Sequence, residues 1–222
     1  MMTAMRTRVS RAARLLGRTP SVGVAAIVYS AAIQAASFRA DVVDLSNRWW
    51  VVTAALILLL SPLVHTFVIH RTFAALRRIP FHLRDLPVES FGSLVAGELL
   101  VNAAVVIGSV FFLLPGVYVG MRLIYYKQAI ILHKARLAAA VRESLVLTAD
   151  GRRLLGMFLV LAASYCVPLG IELIALPATD ALSVHAVAVL ISAAFVAWIN
   201  VYVTLAFIED AEAVEGDVSV NP

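Results

Sequence analysis

The chain alternates long apolar runs with short charged clusters, and the runs show no alternation of period two. Six runs approach or reach the roughly 20 residues that an α-helix needs to cross a bilayer core. They lie at 20–38, 49–69, 91–114, 117–133, 154–176 and 184–208. The first opens on Thr19-Pro20, an N-cap residue followed by proline at the first helical position. The second opens on Trp49-Trp50, amphipathic aromatics of the kind that settle at a membrane interface. A transmembrane barrel would need alternating segments, so the pattern predicts an all-α, polytopic membrane helix bundle of six transmembrane helices. It divides the chain into a basic N-terminal segment (1–19), a membrane domain (20–208) and an acidic tail (209–222).

Two polar intervals carry patterns of their own. Between the fourth and fifth runs, Leu137, Val141, Leu145 and Thr148 recur at helical spacing, while Arg136, Arg142 and Glu143 lie off that stripe. This predicts an amphipathic helix over 134–149 resting on the inner membrane surface, with Gly151 as its C-terminal stop. The interval 70–90 is less regular and is broken by Pro80 and Pro87. The tail after Ile208 holds five acids and no base, which predicts disorder and electrostatic contact with the basic loops.

Composition agrees with the pattern. Hydrophobic residues make up 62% of the 222 and charged residues 14%, against about half and a quarter in ordinary soluble domains. Mean hydropathy is +0.92 and the pI about 9.6. The single Cys166 excludes a disulfide framework and a cysteine-based zinc site. Charge placement then orients the spans. Arg6, Arg8, Arg11, Arg14 and Arg18 precede the first run, and Arg71, Arg77, Arg78 and Arg84 separate the second and third. Lys134, Arg136, Arg142, Arg152 and Arg153 separate the fourth and fifth, whereas the other side holds only Arg39 and Arg48. Fourteen against two puts both termini in the cytoplasm by the positive-inside rule. The basic pI is thus a topology signal with some attraction to anionic headgroups, and not the footprint of a nucleic-acid partner. A cleaved signal peptide ending near QAAS (34–37) is an alternative for the N-terminus and leaves the later spans unchanged.

Within FFLLPGVYVGMRLIYYKQAIILH (111–133), Pro115-Gly116 predicts a helical hairpin at the outer boundary, with the third span ending at Leu114. Arg122 then falls a turn or so below the outer face and Lys127 about two turns above the inner one. A lipid-facing Arg or Lys at mid-helix costs on the order of 3 kcal/mol, so partners are expected at matching depth. Glu98 and Asn102, four apart on one helix face, suit Lys127, and Glu172 suits Arg122. The alternative is that both cations snorkel to the headgroups. Gly116-x-x-x-Gly120 and Ser93-x-x-x-Gly97 place small residues where helices pack tightly inside the bundle.

No catalytic centre is legible. His65 and His70 are five apart, off the spacing that puts two ligands on one helix face, and His82, His133 and His185 are isolated. There is no HExxH and no phosphate-cradling glycine loop. Neither a metal nor a cofactor is expected, and Cys166 reads as a packing residue.

PGVYVGMRL (115–123) followed by AAAVRESLVLTADGRRLLG (138–156) resembles the six-helix membrane domain attached to some bacterial glycerophosphoryl diester phosphodiesterases and the related YciC-like inner-membrane proteins. The matching positions are Pro115, Gly116, Arg122, Ala140, Arg142, Ser144, Leu147, Thr148 and Gly151. The chain departs from that pattern at Ala149-Asp150, which puts two residues between Thr148 and Gly151 where the family has one. The resemblance implies a multi-pass protein of the bacterial inner membrane, without the soluble phosphodiesterase domain and hence without its activity. The expected role is a non-enzymatic membrane module, embedded in the lipid bilayer, that assists another membrane protein or influences envelope lipid organisation. The alternative is a small transporter or channel with a pathway lined by Glu98, Asn102, Arg122, Lys127 and Glu172. The missing inverted repeat weighs against it, since only Pro62 and Pro168 hint at paired broken helices.

Overall fold

A computed structural model describes residues 2–37, 48–111, 113–175 and 182–220. Among them there is no strand, and the regular structure is helical, as the pattern predicts. The helices are α1 (Met2–Arg18), α2 (Pro20–Ser37), α3 (Arg48–Arg77), α4 (Phe91–Phe111) and α5 (Leu113–Arg122). They continue as α6 (Tyr126–Leu132), α7 (Leu137–Leu147), α8 (Gly151–Ala175) and α9 (Leu182–Val220). Single 3-10 turns at Leu83–Asp85 and Val88–Ser90 bridge α3 to α4.

Three stretches among the described residues are long and apolar enough to cross a membrane: Val51–Arg77, Val88–Gly108 and Val189–Val214. The pair Arg6–Arg18 and Pro20–Ile33, bent by 87°, would make a fourth if it formed one broken span. The expected count of six does not emerge. The clearest departure is the run 117–133, which is two short helices, α5 and α6, separated by a turn at 123–125. With ten and seven residues, about 15 and 10 Å, neither crosses a bilayer core alone.

The breaks have local causes. Thr19, almost fully buried, closes α1 by donating its hydroxyl to the Leu15 carbonyl (2.9 Å), and Pro20 opens α2. α3 ends where Arg78 takes a left-handed conformation (φ 56) and the Ile79 N–H reaches back to the Ala74 carbonyl at 2.9 Å. The expected hairpin is shifted: α4 ends at Phe111 and α5 begins at Leu113, so Pro115 and Gly116 lie in the first turn of α5. A proline there forfeits no helical hydrogen bond, because the first N–H groups have no partner in the helix. Gly116 is buried, and a Cβ built on Gly108 of α4 would lie 3.0 Å from its N and Cα. The small residues let the two backbones touch. Gly120, a turn later, is half-buried. Gly97 yields space in the same way to the Tyr126 ring, which a Cβ would meet at 2.8 Å.

The core gathers around α9, whose residues 201–208 are all buried. A helix apolar all round must be enclosed, and α9 packs against α1, α2, α3, α7 and α8. Leu94, Tyr125, Ile130 and Leu147 complete the cluster. Elsewhere the surface is apolar: Leu99, Leu100, Val106 and Ile107 on α4 and Val187, Leu190 and Ile191 on α9 are exposed. Patches of this kind face lipid or another protein.

Three further expectations are corrected. α7 packs on α6 through Ala140, Ser144 and Leu147, all buried, while Leu137, Val141 and Leu145 of the predicted stripe are half-buried on its flank. The stripe was displaced because the helix packs on protein through its small residues. Gly151 does not stop α7 but opens α8, since the chain turns at Thr148–Asp150. The tail is not disordered through Val220 but continues α9, 39 residues or roughly 58 Å in all. Arginines from other helices neutralise its first acids.

Candidate functional site

Inside the bundle, four helices bring polar side chains to one point. Glu98 on α4 is only 3% exposed, and its Oε1 accepts from Lys127 Nζ of α6 at 2.8 Å and from Ser61 Oγ of α3 at 2.9 Å. Tyr29 of α2 interacts in turn with Ser61. His65, one turn after Ser61, completes the group. Its Nδ1 lies 2.8 Å from the Ser61 carbonyl, which can only accept, so Nδ1 carries the proton. Lys127 Nζ lies against the ring, 3.4 Å from Nε2 and 3.5 Å from Nδ1, and Glu98 Oε1 lies 3.5 Å from Nδ1. Pro62 lies inside the continuous α3, and the Thr66 hydroxyl donates to its carbonyl at 2.7 Å. A carboxylate removed from water needs a counter-charge and hydrogen bonds on its lone pairs, and Glu98 has both.

The sequence anticipates Lys127 with Glu98 but not the rest. Asn102 is exposed, because the packed face of α4 runs through Leu94, Gly97, Glu98 and Val101 and leaves Asn102 at its edge. Ser61 and His65 were missed, although a polar pair four apart around a proline in an apolar run is a signal for them.

The expected pairing of Arg122 with Glu172 falls outside the described side chains, but Arg122 has another set of contacts. Its guanidinium donates to the Thr148 carbonyl at 2.5 Å. The Arg122 carbonyl, freed by the end of α5, accepts from Ser144 Oγ at 2.8 Å, and Thr148 Oγ1 lies 3.2 Å from it while sitting closer, at 2.7 Å, to the Ser144 carbonyl. Ser144 Oγ also accepts the Tyr125 N–H at 3.2 Å. Three of the residues that carried the resemblance, Arg122, Ser144 and Thr148, thus meet at the α5–α6 break, where the Ser144 hydroxyl satisfies backbone groups it exposes.

A second ionic assembly ties the termini together. Asp210, 2% exposed, accepts from Arg8 Nη2 through Oδ1 (2.7 Å) and from the Tyr125 hydroxyl through Oδ2 (2.8 Å). Glu209 binds Arg8 and Arg11, each at 2.7 Å, and Glu212 pairs with Arg77 of α3. Burial penalises the charged Arg8, but the hydrogen bond and charge of Asp210, aided by Glu209, outweigh it and raise its pKa above the ordinary arginine value. Nearby, Lys134 pairs with Glu89 at 3.0 Å and His133 with Glu143 at 2.7 Å.

No protein-family model, curated protein or solved structure matches this chain.

Proposed function

We propose that this chain is a non-enzymatic integral membrane module of the bacterial inner membrane, with both termini cytoplasmic, and that its interior charges hold the bundle together. The observation that carries the reading is the Lys127–Glu98 contact: the two meet at 2.8 Å, with Ser61 and His65 on hand. Charges engaged with one another have a structural use that needs no substrate. The basic asymmetry supports the orientation, and the bracket around Arg122 gives a structural sense to the resemblance with YciC-like proteins and phosphodiesterase membrane domains. Such a module assists a membrane partner or shapes lipid organisation in the envelope.

A transport role is favoured by one observation, the His65 ring beside both members of the pair, since ionisable side chains within spans mark ion and proton pathways. Replacing the pair with apolar residues, as E98L/K127M, separates the two readings in a deletion strain. A module regains both stability and the wild-type phenotype. A transporter folds but leaves the deletion phenotype in place, and that result would sink the proposal.

A further inference from the structure

We propose that Arg14 and Arg18, on the outer flank of α1, form a binding site for the phosphodiester headgroup of anionic phospholipid in the cytoplasmic leaflet. The inference rests on the membrane reading above and assigns that reading a ligand.

Chain geometry sets the level. α2 opens at Pro20, the start of the first apolar run, and α1 meets it at 87°; on the membrane reading, with α2 entering the bilayer, α1 would lie along the interface. Arg18 stands two residues before that entry, where headgroup phosphates lie. Arg14 is one turn away on the same face, about 6 Å along the helix.

Packing then decides which arginines are free. The apolar side of α1 is closed: Ala12 and Leu15 are buried in the cluster around α9. Arg8 and Arg11 are held by Glu209 and Asp210. Arg14 and Arg18 are exposed and have no hydrogen-bond or ion-pair partner among the described residues. The acids at this end do not supply one, because Glu89, Glu143, Glu209, Asp210 and Glu212 are each engaged by another cation or histidine. Two guanidiniums a turn apart, on a helix already immobilised by protein contacts, suit a phosphodiester, which accepts paired N–H donors. Pre-ordering removes the cost that a disordered basic tail would meet on binding.

The test uses the full chain reconstituted in phosphatidylcholine vesicles, with spin-labelled phosphatidylglycerol and spin-labelled phosphatidylcholine as probes of motionally restricted lipid. Wild type is expected to select phosphatidylglycerol. A surface arginine contributes about fivefold to anionic-lipid affinity, so R14Q/R18Q should lower the site's affinity about 30-fold and remove most of the selectivity. R14K/R18K should keep much of it, and R78Q/R84Q, which removes the same charge from exposed arginines elsewhere, should keep nearly all. Unchanged selectivity in R14Q/R18Q would overturn the site. An equal loss in R78Q/R84Q would also overturn it, by showing diffuse charge alone. Absence of restricted lipid of either kind around the wild-type protein would remove the membrane reading itself, an outcome distinct from both.

Discussion

Glu98–Lys127 and Arg77–Glu212 are each a single contact between a carboxylate and a cation, yet their surroundings differ. Glu98 is enclosed by four helices, with Ser61 and His65 beside it. Arg77 and Glu212 are about half exposed at the other assembly. Water could replace either partner of the second pair, whereas inside the bundle Glu98 has, among the described residues, only Lys127 and the His65 ring at 3.5 Å as basic neighbours. The value of an ion pair therefore depends on what would solvate its members if it broke.

The largest effect should follow from opening the inner pair. E98Q or K127M alone leaves one buried charge without its partner, a loss of about 3–5 kcal/mol where burial is complete. E98L/K127M should recover most of it, as read by thermal unfolding in one detergent. Single variants that melt with wild type would erase the contrast. An intermediate effect is expected at Asp210, buried like Glu98 but facing Arg8 and Tyr125 at the rim. D210N should cost about 1.5–3 kcal/mol, the range for hydrogen bonds to a charged group, and Y125F about 1 kcal/mol. If D210N matched E98Q, position along the bundle would matter less than burial alone. The smallest effect belongs to Arg77: R77Q should cost about 0–1 kcal/mol, and the difference should vanish in high salt. A salt-insensitive loss would move this pair into the class of the first.

How far these features were legible in the sequence depends on the range of the interaction. The helical class follows from apolar runs without alternation, a local property. Lys127 and Glu98 were paired from depth alone, because a charge in an apolar run demands a counter-charge at its own level. The broken fourth run was not foreseen. Its apolar content at 117–133 is continuous, and the groups that permit the break, Ser144 and Thr148, lie some twenty residues downstream. The tail was misjudged for a similar reason. Its acids look like a solvated segment until Arg8, Arg11 and Arg77, distant in sequence, are brought against them. Asn102 shows the opposite error, since helical spacing alone put it beside Glu98 and the width of the packed face left it out.

The bracket around the α5–α6 break also constrains the order in which the chain can assemble. Until α7 has been synthesised, the Arg122 carbonyl and the Tyr125 N–H lack the hydroxyls that occupy them in the finished fold. An open backbone group costs several kcal/mol in hydrocarbon, so the bend at 123–125 is stable only once the segment carrying Ser144 has reached it. A chain ending before Ser144 is therefore expected to lack the bend and to keep 117–133 as one continuous helix.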